Sequence, residues 1–369
     1  MTSAPRSEAA ARSGRDRPRG ALGRVVDTTL EFEAHRARLF GIAYRMLGSA
    51  SEAEDLVQEA YLRWERADRD AVAAPGAWLA KVVTNLSLNE LASARVRREQ
   101  YVGQWLPEPV LTTADGTVHG VAGTGGTGAR AARQPLGPLE TVEQRDSVSF
   151  ALLLLLERLT PPERAVFVLR EAFGYPHRDI AELLETSEAN SRQLHRRARQ
   201  AIGRDASAAH TGATDTPATP ATPATPATKG AGGGTGGGAP VRQRWTGLVE
   251  TFVAAAREGD LRQLERLLTE DVVSYADGGG RINTARRPIL GRAKVARYLA
   301  GGLARFAAAT VLVPCEVNGG PALLALADGG LLGVVTLEVA EGRIAALRIC
   351  VSPDKIAYAA RQFAASAPS

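Results

Sequence analysis

The sequence runs to 369 residues, more than one hydrophobic core usually organises, so two or three domains are expected. Hydrophobic residues make up 44% and charged residues 23%, 38 glycines and 20 prolines point to substantial linker, and the net charge of +5 allows a polyanionic partner without demanding one. Cys315 and Cys350 are the only cysteines, and the longest apolar stretch is Phe150 to Leu156; together these exclude a disulfide framework, a Cys-rich zinc site and a membrane span, and fit core thiols in a reducing cytosol.

Residues 1–28 scatter Arg6, Arg12, Arg15, Arg17, Arg19 and Arg24 among Ala, Ser and Gly, with no apolar h-region. This predicts a disordered basic arm, not a secretory signal. Over 29–100, Phe32, Leu39, Ala43 and Met46 recur at three- and four-residue steps, which predicts an all-helical domain. Inside it, Ser51 to Trp64 has the form of an N-capped amphipathic helix with acidic residues crowding its first turn, where the helix dipole favours them. From Pro75 to Gln100, Trp78, Leu79, Val82 and Leu86 are expected in the core, while Lys81, Asn85, Asn89, Arg95, Arg97 and Arg98 are free to face outward.

Residues 101–138 form a linker whose part from Leu111 to Arg133 is rich in Gly, Thr and Ala without apolar periodicity. A second helical domain follows over 139–204. In it Pro176 introduces a helix with Ile180, Ala181, Leu183 and Leu184 as its core face; after a break at Glu185-Thr186, Ser187 caps a second helix whose inward stripe is Ser191, Leu194, Ala198 and Ile202. This is a helix-turn-helix. Its outer face carries Arg192, Gln193, Arg196 and Arg199, residue types that read purine edges and hold phosphates in a major groove.

Residues 205–240 repeat Thr-Pro-Ala and then turn Gly-rich, a tether that cannot bury enough apolar surface to order itself. Over 241–365 two helical segments (248–257 and 261–268) precede strand-like runs at 272–275, 310–317, 322–327, 331–339 and 344–351. An α+β domain is expected, with its last four strands joined as an antiparallel meander by Gly-containing turns.

The stretch Ser51 to Trp64 strongly resembles region 2.2 of extracytoplasmic-function sigma factors, and Thr160-Pro161-Pro162-Glu163-Arg164 through Arg199 resembles their region 4. The resemblance covers about 30–100 and 139–202, in the family's order. It implies that Asp55, Gln58, Glu59 and Arg63 contact the clamp helices of the polymerase β′ subunit, and that Lys81, Asn85, Asn89, Arg95, Arg97 and Arg98 open and hold the −10 element of promoter DNA. Melted strands need a basic track with polar groups that read flipped bases, and Asn with Arg supply both. Arg192, Gln193, Arg196 and Arg199 would then read the −35 element, with core polymerase, through β and β′, as partner.

The segment Tyr101-Val102-Gly103-Gln104-Trp105-Leu106-Pro107-Glu108-Pro109 is similar to the linker of the subgroup that carries a C-terminal SnoaL-like domain, although Gln104 stands where proline is usual. Asp277-Gly278-Gly279-Gly280 matches that subgroup's glycine motif, and Ser352-Pro353-Asp354-Lys355-Ile356 approximates its Asn-Pro-Asp-Lys-Leu. The resemblance implies a cone-shaped α+β domain acting as a fused regulator, with Trp105 and Leu106 docking near Asp277, Gly278, Gly279, Gly280, Pro353, Asp354 and Lys355. No catalytic residue, metal or cofactor is expected, since the segment has no histidine for a tuned acid or base. A small ligand of unknown identity in that domain stays open, as do two other readings: a helix-turn-helix regulator independent of polymerase, and a SnoaL-type enzyme tethered to a DNA-binding module.

Overall fold

The computed structural model describes residues 19–112, 149–208, 238–306 and 310–366. Three helices make up the first block: α1 (Arg19–Leu47), α2 (Ala50–Arg66) and α3 (Pro75–Glu99), with a 3₁₀ turn at Arg69–Ala71 between the last two. Helix α1 begins inside the segment expected as an unstructured arm, so residues 19–28 are helical; residues 1–18 lie outside the described residues. The cap of α2 also differs from expectation. Ser49, not Ser51, is the N-cap, its Oγ accepting from the Glu52 N–H at 3.1 Å.

The second block holds α4 (Phe150–Leu156), α5 (Pro161–Phe167), a π turn at Val168–Ala172, α6 (His177–Leu183) and α7 (Glu188–Ala208). Thr160 and Glu163 form a capping box at the start of α5, where Pro161 is tolerated because its missing N–H has no partner to lose. Between α6 and α7 the chain turns through Glu185 at φ 53°, and Ser187 Oγ then accepts from the Asn190 N–H at 3.1 Å. His177 Nδ1 lies 3.0 Å from the buried Ser191 Oγ and ties the two helices together.

The third block opens with α8 (Gly238–Glu258) and α9 (Leu261–Leu267) and continues into β1 (Leu268–Asp277), β2 (Ile289–Leu290), α10 (Arg292–Phe306), β3 (Val311–Val317), β4 (Gly320–Ala327), β5 (Gly330–Ala340), β6 (Arg343–Cys350) and α11 (Pro353–Ser366). The strands form one sheet in the order β2-β1-β6-β5-β4-β3. β3 to β6 are the antiparallel meander, its tight turns taken by Asn318-Gly319, Asp328-Gly329 and Glu341-Gly342, all at positive φ. β1 instead runs parallel to β6. The sequence reading missed α10 and α11.

Two faces of this sheet have different neighbours. One packs Leu312, Leu323, Leu337 and Leu347 against Phe252, Leu264 and Leu299 of α8, α9 and α10. The other carries Val273, Tyr275, Cys315, Leu324 and Cys350, and it is covered by Ile356 of α11, Phe150 of α4 and Leu106 of the linker. The first two blocks share a single core in which Leu39, Met46 and Leu79 pack with Leu153, Val166 and Ile180. Hydrophobic burial therefore holds all three blocks together, at about 25 cal/mol per Å² of apolar surface removed from water.

Candidate functional site

Around Asp277, at the end of β1, three parts of the chain meet. The carboxylate is fully enclosed and takes four donors: the Tyr101 hydroxyl at 2.5 Å, the Gly279 N–H at 3.0 Å, the Leu106 N–H at 2.8 Å and the Lys355 ammonium at 2.7 Å. Lys355 also donates to the Leu106 carbonyl at 2.6 Å and lies 4.4 Å from the ring centres of both Tyr101 and Trp105. Burial lowers the Lys355 pKa from its ordinary range, with the Asp277 charge opposing that shift. Burial first, and then the hydrogen bond to Asp277, raise the Tyr101 phenol well above its usual value. A buried charge pair of this kind contributes little net energy against an apolar pair, but it leaves a costly unpaired charge if either partner is lost.

The glycines after Asp277 have separate roles. Gly279, at φ +65°, could not carry a side chain: a Cβ would fall 2.4 Å from Ser352 Oγ. At Gly278 the obstacle is the Ile282 carbonyl at 2.1 Å, so this glycine serves its own turn. Gly280 (φ +73°) leaves room for Val102 of the linker. Pro353 starts α11 and so helps aim Lys355 inward. Asp354 is placed away from the junction, in an exposed ion pair with Arg281 at 3.1 Å. The expectation that it belongs to the interdomain contact is corrected accordingly: the residue beside an inward lysine on a helix points to another face.

A second junction, which the sequence reading did not single out, lies farther along the linker. Tyr44 of α1 donates to the Glu108 carbonyl at 2.6 Å and accepts from Asn318 Nδ2 at 2.7 Å. The Glu108 carboxylate accepts from Ser49 Oγ and the Ser51 N–H, at 2.8 and 2.9 Å, and so caps the start of α2. Beyond it, Leu111 bridges Val317 antiparallel, and Thr112 N–H donates to the Glu316 carbonyl at 3.1 Å. Residues 110–112 thus line the edge of β3 like an added strand. Glu108 stood within the recognised linker motif; Tyr44 and Asn318 carry no local signal, since 274 positions separate them.

On α2, Asp55, Gln58 and Arg63 are exposed and Glu59 is half-buried, forming one face in which Glu59 pairs with Arg63 at 2.9 Å. On α7, Arg192, Gln193, Arg196 and Arg199 are all exposed, opposite the buried Ser191 and Ala198. Arg192 is paired with Glu188. On α3, Asn89 is exposed and Asn85 half-buried, whereas Lys81 pairs with Glu185 of the helix-turn-helix at 3.1 Å. The side chains of Arg95 and Arg97 lie outside the described residues. Arg98 departs from the outward placement expected of it. Its guanidinium pairs with Glu157, just past α4, donates to the Leu47 carbonyl and lies 4.1 Å from the Trp105 ring centre, because the C-terminal end of α1 and a half-buried carboxylate attract it inward.

Comparison with known proteins agrees with this layout. Residues 32–97 match the model of Sigma-70 region 2, and residues 149–202 match that of Sigma-70, region 4. The chain is 35% identical over 334 residues to the ECF RNA polymerase sigma factor SigJ of Mycobacterium tuberculosis, covering 88% of this chain and 92% of that protein. It is 30% identical over 327 residues to the probable ECF RNA polymerase sigma factor SigI of the same organism, covering 88% and 93%. The crystal structure of Mycobacterium tuberculosis extracytoplasmic function sigma factor SigJ matches with a TM-score of 0.60 at 32% identity, over 89% of this chain and 98% of that one. Two sigma-70 modules, in the family's order and spanned by a relative of nearly full coverage, establish the lineage: this chain belongs to the extracytoplasmic-function RNA polymerase sigma factors.

Proposed function

We propose that this sigma factor directs promoter-specific initiation with its first two domains and is regulated in cis by the third. The domains are taken as region 2 over 29–100, a linker over 101–138, region 4 over 139–204, a tether over 205–240 and the SnoaL-like domain over 241–365. In this reading the exposed face of α2 at Asp55, Gln58, Glu59 and Arg63 docks on the β′ clamp helices of core polymerase. The outer face of α7 reads the −35 element, and α3, through Asn85, Asn89 and its basic end, holds the opened −10 element. Bond making stays with polymerase, in the cytoplasm.

The observation that carries the cis-regulatory part is the enclosure of Asp277 by linker and α11 donors. Anchored there, the third domain acts as a tethered partner at high effective concentration, so modest contacts keep it docked. The same enclosure argues against an enzyme: a carboxylate already engaged by four donors is not a free general base, and residues 241–365 contain no histidine to replace it. A small ligand of this domain would act only through a difference in affinity for the docked and released states.

Run-off transcription with core polymerase on a genomic promoter library tests the proposal, comparing the full chain with one ending at Arg204. Initiation by both at shared promoters, with yield altered by the truncation, is the expected result. If neither initiates while both bind duplex DNA, an independent helix-turn-helix regulator replaces this reading.

A further inference from the structure

A ladder of charged and aromatic groups runs through every part of the molecule described above. Glu157, just past α4, takes Arg98 of α3 and, at 2.9 Å, Arg164 of α5. Arg164 also donates to the Met46 carbonyl at 2.7 Å, and Arg98 to that of Leu47, so both guanidinia cap the C-terminal end of α1. The next rung is Trp105, whose ring centre is 4.1 Å from the Arg98 guanidinium and 4.4 Å from the Lys355 ammonium. Lys355 ends the ladder on Asp277 at 2.7 Å. The sequence of groups is carboxylate, cation, aromatic ring, cation, carboxylate.

Gly48, at the end of α1, makes the slot for this ring. At φ +68° it is in the left-handed region, and a Cβ there would stand 2.8 Å from Trp105 Cη2 and 3.5 Å from Glu157 Oε1. The seam between α3 and α5 is not tightly filled at this point: a cleft of about 440 Å³ opens beside it, lined by Leu91, Arg98, Glu157, Thr160 and Arg164. Charged contacts therefore add to the shared apolar core in closing this end. A ring between two cations stabilises both through its negative faces; without it they would confront one another across a poorly solvated gap.

We propose that Trp105 couples two events: docking of the third domain through Lys355 and Asp277, and closure of region 4 on region 2 through Glu157 and Arg98. Lys355 holds the ring in its slot from the side of the third domain; once it leaves, the ring is free to shift away from Arg98, so Arg98 and Glu157 separate more readily. The inference rests on the cis-regulatory reading and gives it a physical route from the third domain to the DNA-binding ones.

Single-molecule energy transfer between dyes placed at Glu65→Cys on α2 and Gln200→Cys on α7, both exposed positions, reads the open fraction of the full chain. Lys355→Met is expected to raise the open-to-closed ratio about five- to tenfold. In a Trp105→Leu background the same substitution should change the ratio by less than about twofold, and Trp105→Phe should restore its effect. Gly48→Ala, whose Cβ overlaps the ring and meets Glu157 only at van der Waals distance, displaces the ring while leaving every charge in place and should open the pair as well. An unchanged ratio in Lys355→Met, with initiation altered, overturns the coupling and leaves cis regulation standing. If both the ratio and the initiation yield stay at wild-type levels, cis regulation through this junction falls with it.

Discussion

Asn318, in the turn between β3 and β4, hydrogen-bonds through Nδ2 to the hydroxyl of Tyr44 in α1 at 2.7 Å, joining the third domain directly to region 2. Its Oδ1 accepts from the Val110 N–H at 3.1 Å, so one amide holds both the helix and the linker. The turn needs a positive φ of 52° at this position, which asparagine tolerates. Burial raises the Tyr44 phenol far above its usual range, so it remains a neutral donor to the Glu108 carbonyl.

Asn318→Gly keeps that backbone geometry and removes the amide. Tyr44 and Val110 then each lose a buried partner, and a destabilisation of about 1–3 kcal/mol is expected. Urea melts of the full chain measure it, and hydrogen exchange should quicken at residues 106–112. Wild-type protection there would show that the sheet edge alone holds the linker.

Replacing Lys355 by methionine leaves the Asp277 carboxylate buried beside a neutral chain. Breaking a buried pair from one side costs about 3–5 kcal/mol. The docked state should loosen by that order, seen as faster proteolysis within 101–112. Asp277→Asn turns one acceptor oxygen into a donor facing other donors and leaves the Lys355 charge unpaired, so it should loosen the state by a similar order; wild-type protection in both variants would argue that charge is irrelevant at this site.

The two thiols give a pH signature. Burial first, aided by Glu316 at Cys315 and by Asp277 at Cys350, pushes both pKa values up to about 12 from an ordinary 9.0. The folded state therefore holds protons that the unfolded chain releases. Their contribution is complete below pH 9 and is lost as pH rises from there toward 12. At pH 8 neither thiol should react with iodoacetamide in the native chain, and both should react in denaturant; rapid native alkylation would contradict this burial.

Arg196→Ala removes an exposed guanidinium from the outer face of α7 without touching its core. Binding to a −35 duplex should weaken by about 1–3 kcal/mol, measured by fluorescence anisotropy at fixed salt. Asp55→Lys should instead spare DNA binding and lower affinity for core polymerase roughly tenfold. A reversed pattern would exchange the proposed roles of the two helices.

Much of this protein was written in local pattern. Helical spacing marked α1 to α3, proline and serine marked the limits of the helix-turn-helix, and glycine-containing turns marked the meander of β3 to β6, because caps, turns and apolar periodicity depend on neighbours a few residues apart. Motif likeness also pointed to Trp105, Leu106, Asp277 and Lys355, which the fold brings to one junction. Tertiary structure alone decided the rest. Arg98 looked like an outward DNA-facing residue until the end of α1 and Glu157 were set beside it. Asp354 shared a motif with Lys355 yet faces solvent, and the parallel pairing of β1 with β6 joins segments about 70 residues apart. Ionic and hydrogen-bonded partners are chosen by what lies near in space, and only the folded chain determines that distance.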